Sequence, residues 1–559
     1  MSRHKTSACA RLSVPDAASV KPRTRALLRL LRSRAILPAV RLIIVHHHFR
    51  PGGVRRVIEV ATPHLLSGAG PRLLEVVLAG GEAPDALWWD RFTAALAPVP
   101  VTQFIEPAFG YLAEQRNRIA DVRARCRRAL AQLLADAAPA TTLVWAHNLS
   151  LGRNLLVARE LSRLCAARGL PLLAHQHDWW FDHRWSRWPE MRRAGFRTLG
   201  AVARALFGGA TVQHLVINAA DAAMLRPALG RRVAWLPNPV DPPVPVPARA
   251  CAAARRWLQQ QVPRGAPVWL VPARLLRRKN LAEALLLTRW LRPGAWLVTT
   301  GGASSAEEQP YAERLAAAAG AHGWPLRLGV LAGDESAKPG LPALMSASEA
   351  LLLTSLGEGF GLPYLEAAAA RRPLLARALP NIAPDLARFG FRFPQTYLEV
   401  FLPPELFAWR AERARQARLF RAWRRTVPAS YRRWVRAPDL LEAGQPVPVP
   451  FSRLTLSAQL EVLAHPPAAS LAAAEPLNPW LRVWRERAAA GRLEVSAWPA
   501  EAERWLGGRA YARRFFRAWR AARRRHDETP PAAARCQAAA VRARLELDRP
   551  YPLLWSPAA

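Results

Sequence analysis

Short apolar runs alternate with longer helical patterns along most of this chain, and that alternation restricts the fold more than any other feature. In the first half the runs are Leu42–Val45, Leu74–Leu78, Thr142–Trp145, Pro171–Ala174 and Leu215–Ile217. In the second half they are Val233–Leu236, Val268–Val271, Trp296–Thr299, Leu326–Leu331, Ala350–Thr354 and Pro373–Ala376. Ala- and Arg-rich stretches such as Glu114–Ala135 and Asn154–Arg168 lie between them. A parallel strand is covered on both faces and reads as an unbroken apolar run, and its connection to the next strand needs a helix-length crossover. The runs suffice for two parallel sheets, so the expected class is α/β with two Rossmann-like, doubly wound domains facing a cleft. With 559 residues and 51% hydrophobic content, the chain has material for both cores. Ligands of such folds bind beyond the carboxyl ends of the strands, so the chemistry belongs on the loops there.

The formal charge is +39. Nearly all of it comes from Arg spread along the chain, since Lys occurs only at Lys5, Lys21, Lys279 and Lys338. With Ala also very abundant, this reads as compositional bias before it reads as a polyanion-binding patch. The five cysteines (Cys9, Cys126, Cys165, Cys251 and Cys536) have neither metal-ligand nor paired spacing. No apolar run approaches a membrane span. A cytoplasmic protein is expected, and the basic stretch 1–40 is expected to be a disordered tail that leaves peripheral contact with the inner membrane face open.

The densest concentration of motifs is Glu349–Ala370, EALLLTSLGEGFGLPYLEAAAA. An apolar strand leads into a turn holding Gly357, Gly359 and Gly361, and a helix is expected to open near Pro363, where proline loses no hydrogen bond. Glycines let backbone N–H groups approach an anion, and the helix start adds partial positive charge. Glu358 in the turn and Glu366 on the helix are acceptor-only groups suited to hydroxyls. Glu358, GFGLPYL and Glu366 resemble the E-x7-E signature of retaining glycosyltransferases of the GT-B fold, family 4. The resemblance implies that Glu358 contacts the donor sugar and Glu366 the nucleotide ribose, with Gly359, Phe360, Gly361 and Leu362 supplying the diphosphate turn.

The strand Val268–Val271 is followed by Pro272-Ala273-Arg274-Leu275-Leu276-Arg277-Arg278-Lys279. Arg274 and Lys279 are similar to the family's second donor signature, an Arg, four spacers and a Lys. A guanidinium grips phosphate through two hydrogen bonds and an ammonium acts as a point charge. Gly302 in Gly301-Gly302 gives a further close backbone approach. Trp235-Leu236-Pro237-Asn238-Pro239-Val240-Asp241 resembles the family's hinge run, with Pro239 where the family has Gly. Pro242–Pro247 is a stiff connector.

On the other side of the expected cleft, His46-His47-His48-Phe49-Arg50-Pro51-Gly52-Gly53 follows the first strand. Gly52 and Gly53 are similar to the family's loop over the donor. Consecutive histidines at a strand end point in alternate directions and make a poor chelate, so no metal site is expected there. After Pro171–Ala174 comes His175-Gln176-His177-Asp178-Trp179-Trp180-Phe181-Asp182-His183-Arg184-Trp185. His177-Asp178 resembles the family's strand ending beside the reacting sugar. His177 is preferred over His175, and His147 is a lesser candidate. Asp178 and Arg184 are assigned to the acceptor. The tryptophans are either sugar-stacking groups or ordinary core.

The implied domains are 41–236 for the acceptor, 237–400 for the nucleotide sugar, and a mainly helical extension at 401–559. The extension interleaves Arg and Trp in Phe407–Val435 and Glu501–Arg525, read as amphipathic helices packed on the body. The implied activity is transfer from a UDP- or GDP-sugar, with retention and no required metal or other cofactor, to a small-molecule, glycan or lipid acceptor. Catalysis would fall to His177, Glu358, Arg274 and Lys279. The rivals are a GT-B-fold epimerase or phosphorylase and, from another class, an Arg-rich nucleic-acid or membrane-surface binder. No specific nucleic acid is expected as a partner.

Overall fold

The structure, a computed structural model, describes residues 39–67, 70–182, 185–303, 307–333, 338–524, 532–548 and 551–555. The expected disordered tail therefore lies, up to residue 38, outside the described residues, as does Arg184.

Two parallel sheets form the body. The first contains β1 (Val40–Val45), β2 (Leu73–Gly80), β3 (Val101–Ile105), β4 (Thr142–His147), β5 (Leu172–Gln176), β6 (Val212–Val216) and β7 (Val233–Trp235), in the order β3-β2-β1-β4-β5-β6-β7. The second contains β8 (Val268–Val271), β9 (Trp296–Thr299), β10 (Leu326–Arg327), β11 (Ala350–Leu353), β12 (Leu374–Arg377) and β13 (Gln395–Tyr397), in the order β10-β9-β8-β11-β12-β13. With helices on both faces, this is the GT-B arrangement of two Rossmann-like lobes. In each sheet the winding reverses beside the first strand, between β1 and β4 and between β8 and β11. Those two crevices are where such folds bind ligands.

Side-chain alternation along β1 shows how the first lobe is packed. Leu42 and Ile44 enter one apolar cluster while Ile43 and Val45 enter another on the opposite face. Two strands escape the apolar-run signature. In β3 most side chains are only partly covered, and β13 is the polar triplet Gln395-Thr396-Tyr397. The expected strand over Leu326–Leu331 stops at Arg327, and Gly329 with φ 64° turns the chain away.

The region beyond residue 400 is mainly helical and covers both lobes. Helices Leu456–Ala464 and Trp480–Ala489 pack on the second lobe against Leu281–Leu291. Gly508–Arg523 buries Tyr511, Phe515 and Trp519, spaced by four, beneath Leu42, Trp145 and Leu173 of the first sheet. Truncating Phe515, which meets Trp145 edge-on at 5.1 Å, removes about 3–5 kcal/mol of packing. Ala533–Asp548 covers the other face through Cys536, Val541 and Leu545. The interleaved Arg and Trp residues are thus packed amphipathic helices. Among the described residues no helix is long and apolar enough to cross a membrane.

Candidate functional site

β8 and β11 are hydrogen-bonded neighbours, so the loops at their carboxyl ends are forced together although about eighty residues separate them. Thr354 Oγ1 donates to the carbonyls of Lys279 (2.9 Å) and Asn280 (3.0 Å), and the Leu356 amide donates to the Arg278 carbonyl at 2.7 Å. Helix α1 (Leu362–Ala369) opens as the sequence predicts, with Pro363 in its first turn. Gly361 precedes it at φ 82°, a left-handed conformation in which a side chain would also meet Ile382 at 2.7 Å. A Cβ at Gly359 would stand 3.0 Å from the His177 carbonyl of the first lobe, and Asn218 Nδ2 donates to the Gly359 carbonyl at 3.0 Å. The glycine turn therefore lies against the other lobe.

Glu358 is the electrostatic centre of this turn. Its carboxylate pairs with Lys279 Nζ and, at 2.9 Å, with Arg278 Nη1. Burial by itself would raise its pKa, but the Arg278 and Lys279 charges prevail and hold it at about 2. Burial draws the Lys279 ammonium below its ordinary range, with Glu358 opposing and Arg278 and Arg274 adding repulsion. Arg274 has an exposed side chain and, among the described residues, no ion pair; it faces the charge of Asp178 across the cleft. Glu366 is raised by burial and stabilised as an anion by Arg56 of the first lobe and by Lys279. Lys279 thus feels the charges of Arg274, Glu358 and Glu366.

The remaining donor-side residues divide. Gly302 accepts from the Leu275 amide at 3.1 Å and so lies behind Arg274. Phe360 is 7% exposed and its ring turns into the core, leaving only its backbone for a ligand. Leu362 is half-buried at the helix start. Gly52 and Gly53 are exposed at the start of the helix that carries Arg56, with open space around the missing side chain of Gly53. Arg278 does not stand out in the sequence, because one more Arg in an Arg-rich run carries no signal.

On the first lobe, the amides of His177 and Asp178 donate to Asn148 Oδ1 at 2.7 and 3.1 Å. His147 Nδ1 lies 3.0 Å from His177 Nε2. Burial keeps His177 down at about 4, so its ring is neutral near pH 7. Trp179, Trp180 and Phe181 are fully buried and Trp185 is 2% exposed, so the aromatic run is core and does not face sugar. His46, His47 and His48 bond three different groups, the His147 carbonyl, the Phe109 carbonyl and the Tyr111 hydroxyl.

Both lobes and the C-terminal region enclose a cavity of about 470 Å3, whose lining includes His177, Asp178, Glu358, Arg377, Arg544 and Tyr551. Arg544 reaches it from Ala533–Asp548 and pairs with Asp221 and, at 3.1 Å, with Asp182. Sequence reading assigns these C-terminal residues no role, since nothing local marks a helix that returns to a cleft.

Residues 256–393 match the family model described as glycosyl transferases group 1. The match falls on the second lobe, which forms one domain. Arg274, Lys279, Glu358 and Glu366 all fall within that domain. The chain is 23% identical over 349 residues to mannosylglucosyl-3-phosphoglycerate synthase of Petrotoga mobilis, a match covering 61% of this chain and 65% of that protein. Similar solved structures include Anabaena HepE in complex with UDP-glucose, 15% identical, TM-score 0.43, covering 62% of this chain and 82% of that one. Another is WaaG, a glycosyltransferase involved in lipopolysaccharide biosynthesis, 17% identical, TM-score 0.41, covering 62% and 84%.

Proposed function

We propose that this protein is a retaining glycosyltransferase that moves a sugar from a nucleoside diphosphate sugar to a hydroxyl of a glycan-type acceptor. The observation that carries the reading is the cluster of Arg274, Arg278 and Lys279 beside Glu358, at the glycine turn where two lobes meet. Cleaving the glycosidic bond to phosphate leaves positive charge on the sugar and negative charge on the diphosphate. Arg274, which has no ion pair among the described residues, would bind that diphosphate. Lys279, already oriented by Glu358, would stabilise it as it departs together with the turn Gly359–Leu362. Fixed groups of this kind stabilise a charged transition state without reorganising. They take the place of a metal ion at the diphosphate.

Glu358, ionised down to about pH 2, is an acceptor for donor hydroxyls and not an acid. Glu366 would accept from the ribose, and Gly52 and Gly53 would close over the donor from the first lobe. His177 and Asp178, on the cavity wall, would meet the acceptor and the reacting sugar. In such a retaining reaction the departing phosphate takes the acceptor proton on the face it leaves. Arg544 and Tyr551 border the same cavity, which supports a part for the C-terminal region in acceptor selection.

A melting-temperature screen of UDP, GDP and their sugars tests donor binding, since a ligand of the native state raises its stability. NMR of the product's anomeric proton tests retention; an inverted product removes the same-face mechanism. Conversion of donor sugar with no acceptor present favours the epimerase instead.

A further inference from the structure

Three histidines of the first lobe meet in a way the sequence does not disclose. His147 ends β4 and stands opposite His175 of β5 in the parallel ladder. His177 follows His175 by two residues and so projects to the same side. One nitrogen from each ring lies within 4.8 Å of the others, and the closest pair, His147 Nδ1 and His177 Nε2, is 3.0 Å apart. Ring centroids are 5.2 Å apart for His147 and His175 and 4.4 Å for His175 and His177.

A further observation points to a ligand. His175 is fully buried, yet neither of its ring nitrogens has a hydrogen-bond partner among the described residues. A buried polar atom left unpaired is costly, and native structures rarely keep several in one place.

We propose that His147, His175 and His177 hold a single transition-metal ion, zinc by ligand type, at the carboxyl ends of β4 and β5. Nitrogens bound to zinc at about 2.0–2.1 Å in a tetrahedron stand roughly 3.3 Å apart; the closest pair nearly has that spacing, and the third nitrogen lies within 4.8 Å of both. Of the three, His177 also lines the cavity, which places the ion in the cavity's first-lobe wall. Its ligands belong to the first lobe, whereas Lys279 and the arginines that supply charge at the diphosphate belong to the second. It clamps two neighbouring strand ends and fixes the orientation of His177. Metal binding is read with no sugar present, so its outcome is independent of the proposed transfer activity.

The test uses the full chain, stripped with a chelator and titrated with zinc, and with cobalt(II) as a spectroscopic probe. One equivalent of zinc, a visible cobalt spectrum of low-coordinate nitrogen ligation displaced by zinc, and a melting temperature several degrees higher with zinc are expected. His175→Gln should weaken zinc binding at least ~100-fold, since losing even a partner outside the ligand set typically costs about 10–100-fold. His64→Gln, at a histidine outside the cluster that pairs with Asp241, should leave it unchanged. Should His175→Gln fail to fold, His147→Gln and the cobalt spectrum of the unaltered protein carry the same decision. Absence of zinc and cobalt binding in the stripped protein, or equal binding in the ligand variants, overturns the site.

Discussion

The two walls of the cleft solve opposite electrostatic problems. The second lobe gathers full charges, with Arg274, Arg278, Glu358 and Glu366 all acting on Lys279. The first lobe gathers imidazoles that are neutral when no metal is bound, because burial holds His147 and His175 well below the ordinary range and His177 at about 4. Buried charges persist only when paired, whereas buried imidazoles escape the cost by staying unprotonated. A leaving diphosphate needs the first environment. A nearly neutral acceptor hydroxyl beside a forming cation suits the second. The contrast supports a division of labour in which donor affinity belongs to one lobe and acceptor chemistry to the other.

The strongest way to break this division is to remove the ionic wall. Glu358→Ala and Lys279→Ala should each lower sugar transfer by at least ~100-fold, the scale of losing an oriented electrostatic group. Steady-state rates near those of the unaltered enzyme in both variants would end the mechanism. Arg274→Ala should weaken nucleoside diphosphate binding by roughly tenfold in calorimetry, as expected for one charge-assisted contact of about 1.5 kcal/mol. His177→Ala should reduce turnover while leaving diphosphate affinity nearly intact, and a variant that loses affinity alone would place His177 on the donor side.

Acid distinguishes the walls without mutation. His214, buried in the first lobe, is held at about 3 by burial first and by Arg232 second, against an unperturbed 6.5. Its folded pKa is depressed, so the unfolded chain binds the extra proton first. Stability from the neutral ring is complete above about pH 6.5 and is lost as pH falls toward 3, by about 1.4 kcal/mol per unit at most. Glu358 is lowered from 4.5 to about 2, so its contribution is complete above 4.5 and fades only below that. Between pH 6.5 and 4.5 the first lobe should therefore loosen while the second holds. Hydrogen exchange at pH 7 and pH 5 reads this directly, and equal loosening in β6 and β11 would contradict it. A last effect is local: Gly361→Ala, at φ 82°, should cost about 1–2 kcal/mol in denaturant unfolding.

The ionic wall is largely legible in the sequence and the neutral wall hardly at all. Glu358, Gly361, Pro363 and Glu366 sit in one short string whose residue types have few other uses together, and the helix opens where that string requires. Arg278 is hidden because its neighbours are also Arg. His147 carries little signal because it lies 28 positions from His175, and only strand register puts them side by side. Trp179 and Trp180 admit two readings from composition alone, and their burial in the first lobe makes them core.

What the chain's order of residues determined by itself was the two-sheet α/β plan and the local groups at strand ends, because apolar runs, glycines and prolines act over a few neighbouring residues. Only the tertiary structure decided which strand ends are neighbours, how Arg544 returns to the cavity, and that three separated histidines share one small volume. Those outcomes depend on sheet order and helix docking, which are set by packing between segments far apart in the chain and leave no mark on any one stretch of it.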